Sequence, residues 1–121
     1  MSRSDIYQRL DTAREIELTV KGRKSGNDTS RPVWFVRERN SLYLLPVSGS
    51  DTNWFKNMRV YPLLKLFVNG KEILSTNGRA ITDENQVEDI VGKFKSRYSQ
   101  GEVNKYYSKL DVAVEVPLER V

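Results

Sequence analysis

The sequence predicts a small, mainly β, α+β barrel of about six mostly antiparallel strands, with peripheral helices in the connections. Three observations support this. Six short runs of β-forming residues recur along the chain, separated by turn signals. A long helical stripe is clear in only one place, residues 83–99. The 121 residues suffice to enclose one core, so residues 1–121 are expected to form a single domain.

In chain order, residues 4–14 place Ile6, Leu10 and Ala13 on one helical stripe. Residues 15–21 (EIELTVK) alternate Ile16, Leu18 and Val20 with polar neighbours, as a half-buried strand does. Residues 30–39 (SRPVWFVRER) read as the second strand. Pro32 places its start at an edge or strand entry, because proline donates no ladder hydrogen bond. Residues 41–47 (SLYLLPV) form the third strand. In 50–62, Ser50 or Asp51 is the expected helix cap, and Trp54, Met58 and Tyr61 recur at helical spacing until Pro62. Residues 63–68 (LLKLFV) are the fourth strand, and Asn69-Gly70 is a two-residue hairpin signal. The fifth strand, residues 71–82, is expected to bulge at Asn77-Gly78 rather than turn again. Asp83 and Gln86 make a capping pair for the helix over 83–99, which shows Val87, Ile90, Val91, Phe94 and Tyr98 on one face. Residues 102–109 read as a helical turn or loop. The last strand, 111–118, turns Val112, Val114 and Val116 inward.

Composition removes several classes of chemistry. Without histidine or cysteine there is no imidazole base, Ser-His-Asp triad, thiol nucleophile, disulfide or zinc-thiolate site. No metal site is expected. No run approaches the roughly 18 apolar residues of a membrane span, and the N-terminal residues lack a signal-peptide core, so a cytoplasmic location is expected. The net charge is +4. Lys21, Arg23, Lys24, Arg31, Arg37 and Arg39 lie in residues 18–39 against only Asp28 and Glu38, and the remainder is balanced. Such a concentration favours an anionic partner.

Three segments are candidates for chemistry. In KGRKSG (21–26), glycines allow close backbone approach and Arg23 and Lys24 add charge, as an anion-binding loop requires. The fragment lacks a Walker loop's spacing, and taken alone a solvated inter-strand loop is the plainer reading. In PVSGSDTNWFKN (46–57), Ser48, Gly49 and Ser50 precede a helix, where amides favour anions and planar polar ligands. Trp54 and Asn57 share a face of that helix. Trp54 is equally readable as core. Tyr106 and Tyr107 could cover an aromatic ligand or donate a phenolic hydrogen bond, although half-buried packing is the plainer reading. Asp83, Glu84, Glu88 and Asp89 read as a solvated helix face.

Together and in order, TVKGRKSG, RPVWFV, LYLLPVSGSDTNWFKN and YY…LDVAVEVPL resemble the deazaflavin-dependent nitroreductase family over residues 15–118. The resemblance implies the flavin-reductase-like split β-barrel of FMN-binding type, related to pyridoxamine-phosphate oxidases. It implies coenzyme F-420 as cofactor, with FMN as the alternative, and a homodimer with the cofactor near the interface. Arg23, Lys24, Ser25 and Gly26 would hold the phosphate or anionic tail, with Arg31 assisting. Pro32, Val33 and Trp34 would line the ring, Val47, Ser48 and Gly49 would meet its polar edge, and Trp54 and Asn57 would complete the pocket. Tyr106 or Tyr107 would cover the substrate face, the position for a catalytic side chain. The sequence VSGSD stands where the nitroreductase branch carries a lysine or arginine.

The expected function is therefore an oxidoreductase passing a hydride from reduced deazaflavin, or flavin, to a small electrophile such as a quinone or activated alkene. The cofactor carries such chemistry, so the absence of histidine and cysteine is no obstacle. A non-catalytic flavin- or deazaflavin-binding protein is the alternative. A single-stranded nucleic-acid module using Trp34 and Phe35 ranks third, and no nucleic-acid partner is expected, because charge outside residues 18–39 is balanced.

Overall fold

The computed structural model describes residues 3–118. The chain runs α1 (Arg3–Thr12), β1 (Ile16–Lys21), β2 (Asp28–Val33), β3 (Val36–Glu38), β4 (Ser41–Leu44), α2 (Asn53–Val60), β5 (Leu63–Val68), β6 (Lys71–Asn77), β7 (Arg79–Ile81), α3 (Glu84–Tyr98), α4 (Gln100–Tyr106) and β8 (Ala113–Pro117). The strands form two four-stranded sheets, ordered β2-β1-β5-β6 and β3-β4-β8-β7, and every strand pair is antiparallel.

The expected barrel is present, but two of its six expected strands each serve both sheets, which makes eight. The run 30–39 pairs with β1 as far as Val33 and with β4 from Val36 onward. Between them Trp34 packs with the outer layer, and Phe35, fully buried, enters the interior. The run 71–82 divides at Gly78, which is neither the expected bulge nor a second hairpin. Here β6 ends against β5 and β7 begins against β8. A Cβ on Gly78 would lie 2.7 Å from Leu64 Cδ1 and 3.1 Å from Met58 Sδ, so any side chain here would have to displace the packed Leu64. The register shift of this strand lies earlier, opposite Leu66 and Phe67. The β5–β6 hairpin forms at Asn69 and Gly70 as expected, with φ of 52° and 79°.

Two apolar clusters result. One fills the barrel between the sheets with Leu18, Val20, Leu42, Leu44, Leu64, Leu66, Val114 and Val116, capped by Leu10 of α1 and Trp54, Phe55 and Met58 of α2. The other lies beneath α3 and α4, where Val87, Ile90, Val91, Phe94, Tyr98 and Val103 meet Leu45, Ile81 and Ala113. The sheet containing β8 is thus buried on both faces, with Val112, Val114 and Val116 turned inward as expected.

The helices depart from expectation at their ends. Residues 49–51 form a 3-10 turn, and Thr52, rather than Ser50 or Asp51, is the N-cap of α2. Tyr61 leaves the helix and is partly exposed, with the Lys21 ammonium 4.9 Å from its ring centroid. Asp83 caps α3 by accepting from the Gln86 N–H, as its spacing predicts. Helix α4 starts at Gln100, two residues before the expected turn, because Ser99 ends α3 at φ 86° and caps α4 through the Glu102 N–H. Among the described residues, no helix is long and apolar enough to cross a membrane.

Where the second run changes sheets, Phe35 has no ladder partner, and the buried Tyr98 hydroxyl takes that role. It accepts the Phe35 N–H at 3.1 Å, and its single proton faces the Phe35 and Arg14 carbonyls at 2.9 and 2.7 Å. Nearby, Arg37 joins α1 to β3 through Asp11, with Nε–Oδ1 at 2.7 Å and Nη2–Oδ2 at 2.8 Å, while its guanidinium lies over Tyr7.

Tyr98→Phe keeps the ring but leaves the Phe35 peptide groups without partners. It should lower unfolding free energy by about 1–3 kcal/mol in urea titration and speed hydrogen exchange at the Phe35 amide. For Asp11, the hydrogen bond from Arg37 is the largest influence. Partial burial opposes it and the charges of Arg37 and Arg97 assist it, so the carboxyl is held below its usual range. A depressed folded-state pKa stabilises above the unfolded value of about 3.9 and is lost as pH falls through the folded value. The urea midpoint of the wild type should therefore fall on acidification through and below about pH 4. Asp11→Asn should flatten that dependence by roughly 1 kcal/mol or less, as befits a half-exposed pair.

Candidate functional site

A cavity of about 260 Å³ opens at the seam between the two apolar clusters. Arg31, Pro32 and Val33 of β2 form one side, with Trp34 at the strand crossing. Val47, Thr52 and Trp54 come from the β4–α2 connection and the first turn of α2, and Tyr106 and Tyr107 from the end of α4. Eight residues singled out in the sequence therefore share one cavity: Arg31, Pro32, Val33, Trp34, Val47, Trp54, Tyr106 and Tyr107. Leu45 and Thr52 also line it and carry no sequence signal. Leu45 lies just past β4, where only pairing decides which face it takes.

The walls are mostly aromatic and aliphatic. The Trp34 indole stacks on Tyr98 at 4.4 Å and 9°, and on Tyr106 at 4.8 Å and 16°, with Tyr107 edge-on at 6.1 Å. Trp54 is 2% exposed, so it belongs to the core and also lines the cavity. Tyr107 is buried, whereas Tyr106 is 48% exposed at the mouth. Burial, followed by the neighbouring Tyr98 and Tyr106, pushes the Tyr107 phenol far above its ordinary value. Tyr107 therefore keeps its proton at any physiological pH and can donate a hydrogen bond, but cannot act as a base.

One polar atom is unusual. Arg31 Nε is buried without a hydrogen-bond partner on a side chain that borders the cavity. A guanidinium N–H in this state is costly unless something accepts it. The N–H itself is closed to solvent, so meeting an acceptor requires the Arg31 side chain to turn toward the cavity it borders.

The two loops expected to bind anions are largely self-satisfied. In residues 22–27, Gly22 N–H donates to the Asn27 carbonyl, Gly26 N–H to the Gly22 carbonyl and Asn27 N–H to Ser25 Oγ. Arg23 turns toward α2, where buried Asn57 Oδ1 accepts its backbone N–H at 3.1 Å and its guanidinium at 2.7 Å. Asn57 thus anchors this loop, and neither it nor Arg23, Lys24, Ser25 and Gly26 lines the cavity. Ser48 N–H donates to Thr52 Oγ1, Gly49 N–H to the Pro46 carbonyl, and Ser50 N–H to Asp111 Oδ1. Ser48 and Gly49 therefore sit beside the cavity with their amides occupied. At Asp111, burial favours the neutral acid, but the Ser50 hydroxyl, the Ser50 and Asp111 N–H groups and Lys109 outweigh it and hold the carboxyl below its usual range. Asp111 and Tyr98 both support the site from outside the cavity, and neither carried a sequence signal for that role.

Comparison with known proteins identifies the family and the fold. Residues 2–118 match the family model of the F420H(2)-dependent quinone reductases. Among solved structures, the fold is similar to an F420-H2 dependent reductase, with 20% identity, 85% of this chain and 93% of that one covered, and a TM-score of 0.64. A second structure, a domain-swapped dimer, gives 20% identity, 85% and 79% coverage and a TM-score of 0.64. A Listeria innocua protein assigned as a pyridoxamine 5'-phosphate oxidase gives 18% identity, 97% and 94% coverage and a TM-score of 0.70.

Asn57→Ala should release residues 22–27 from α2. The expected result is a loss of about 1–3 kcal/mol in unfolding free energy and faster trypsin cleavage after Arg23 or Lys24. Unchanged cleavage would remove Asn57 as the anchor of the loop.

Proposed function

We propose, for a chain that belongs to the F420H(2)-dependent quinone reductase family, that the cavity seats the ring system of coenzyme F-420 and that the acceptor is a small quinone or activated alkene. The chain is an oxidoreductase and coenzyme F-420 is its cofactor. The observation that carries the site assignment is the aromatic-walled cavity itself, which gathers Arg31, Trp34, Trp54, Tyr106 and Tyr107 at one seam of the barrel. The fit is reasonable in size. At about 260 Å³ the cavity falls just below the roughly 300–1,000 Å³ of pockets that hold whole ligands, so a ring system enters while a tail runs outside. Arg31 faces the anionic part, and exposed Lys24 of the KGRKSG loop can attract the tail.

When bound, reduced coenzyme F-420 supplies the hydride, and the protein supplies position and exclusion of water. Pro32, Val33, Trp34 and Leu45 form the apolar bed, and Trp54 closes it from the core side. Tyr107 holds its proton at Oη and can donate to an acceptor oxygen. Tyr106, stacked on Trp34 and half-exposed, forms the mouth where a substrate enters. No residue is required to take up a proton as a base, which suits a chain without histidine.

The domain is read as a homodimer. Val60, Tyr61 and Leu63 expose apolar surface at the α2–β5 junction, and a structural relative is a domain-swapped dimer.

The decisive experiment titrates the protein with coenzyme F-420 and FMN in parallel, then adds quinones to the reduced complex. The expected outcome is quenching by coenzyme F-420 and its quinone-dependent reoxidation. Tight binding without reoxidation would leave a binding protein instead. Arg31→Ala should weaken coenzyme F-420 binding by about 1.5–3 kcal/mol, the range for a hydrogen bond to a charged group. Unchanged affinity would detach Arg31 from the site.

A further inference from the structure

Two lining segments of the cavity, one bearing Val47 and Thr52 and the other Tyr106 and Tyr107, are joined by contacts between residues about sixty positions apart. Ser108 N–H donates to the Val47 carbonyl at 2.9 Å, and Ser48 and Lys109 form a parallel bridge. Beyond it, Asp111 grips the 3-10 turn. Ser50 N–H donates to Oδ1 at 2.9 Å, and Ser50 Oγ donates to Oδ2 at 2.6 Å. Gly49 lies against the same carboxylate with φ 55°, and a Cβ there would sit 2.0 Å from Asp111 Oδ1. The Lys109 ammonium is 3.1 Å from Asp51 and 3.7 Å from Asp111.

A carboxylate accepting both a backbone N–H and a hydroxyl from one residue fixes orientation as well as distance. The turn it holds is short, and the two residues that flank it, Val47 and Thr52, line the cavity. The residue next to Tyr107, Ser108, is hydrogen-bonded to Val47 itself. The separation of Val47 and Thr52 from the two tyrosines thus depends on this network.

We propose that Asp111 is a positioning residue of the cofactor site, setting the cavity's width by locking the turn at Ser48–Ser50 to the strand entry that follows the tyrosines. The proposal rests on the reading of the cavity as the coenzyme F-420 site. Asp111 touches neither cofactor nor substrate. It acts through Ser50 and Gly49 on the neighbouring wall residues.

The test compares Asp111→Ala and Asp111→Asn with wild type in two measurements. The first is amide hydrogen exchange at residues 48–52 of the cofactor-free protein. The second is the coenzyme F-420 dissociation constant by fluorescence. Asp111→Ala should speed exchange at Ser50 and weaken coenzyme F-420 binding by roughly tenfold, while thermal unfolding moves by only a few degrees. Asp111→Asn retains an acceptor for the Ser50 N–H and should restore affinity to within about threefold. Asp111→Ala with fast exchange but wild-type affinity would reduce Asp111 to a local staple and overturn the proposal. Unchanged exchange would show that it does not hold the turn. Wild-type protein that fails to bind coenzyme F-420 would instead overturn the cavity assignment, and this proposal with it, whatever the exchange measurement shows.

Discussion

The peptide group of Phe35 is the constraint on which most of this architecture turns. A strand that leaves one sheet for another must abandon its ladder hydrogen bonds at the crossing, and a buried peptide group without partners is costly. Tyr98, delivered by the last turn of α3, accepts the Phe35 N–H and places its one proton between the Phe35 and Arg14 carbonyls. Once the crossing is held, Phe35 enters the barrel and Trp34 turns outward onto Tyr98. The indole thereby becomes a cavity wall. Fold and site depend on the same hydroxyl.

The second crossing uses the opposite device. At Gly78 no side chain is brought in to help. Instead the side chain is absent, so Leu64 and Met58 can close over the backbone, and the Gly78 N–H reaches the Pro62 carbonyl at 2.8 Å. Helix α2 links these features. Its Met58 packs at Gly78, its Trp54 lines the cavity and its Asn57 holds the loop at Arg23. A short helix thus couples a strand crossing, a cavity wall and a basic loop within one turn of one another.

Charge that is concentrated in the sequence is distributed in space. Arg37 of β3 pairs with Asp11 of α1, Arg23 is turned to Asn57, and Lys21 lies over Tyr61. Arg31 is the member of the group that lines the cavity. This division suits chemistry in which a bound cofactor does the reaction. In the proposed site one cation, Arg31, is left to orient a ligand, while Arg23, Arg37 and Lys21 are engaged by the scaffold.

Much of this could be read from the residues alone. Alternating Ile16, Leu18 and Val20, the Asn69-Gly70 turn, the Asp83 cap and the stripe from Val87 to Tyr98 depend on neighbours within a few positions, so local periodicity and turn chemistry determine them. The ordered motifs also pointed to the residues now gathered at the cavity, from Arg31 to Tyr107. What local pattern could not determine was the division of two runs between sheets, because a strand crossing looks like one continuous strand until its partners are known. Nor could it separate Asn57, which binds a loop, from Trp54 three residues earlier, which lines the cavity, since both share a helix face. The grip of Asp111 on Ser50 spans sixty-one positions. Tertiary structure decided those roles, because a hydrogen bond between distant residues exists only once the intervening chain has folded.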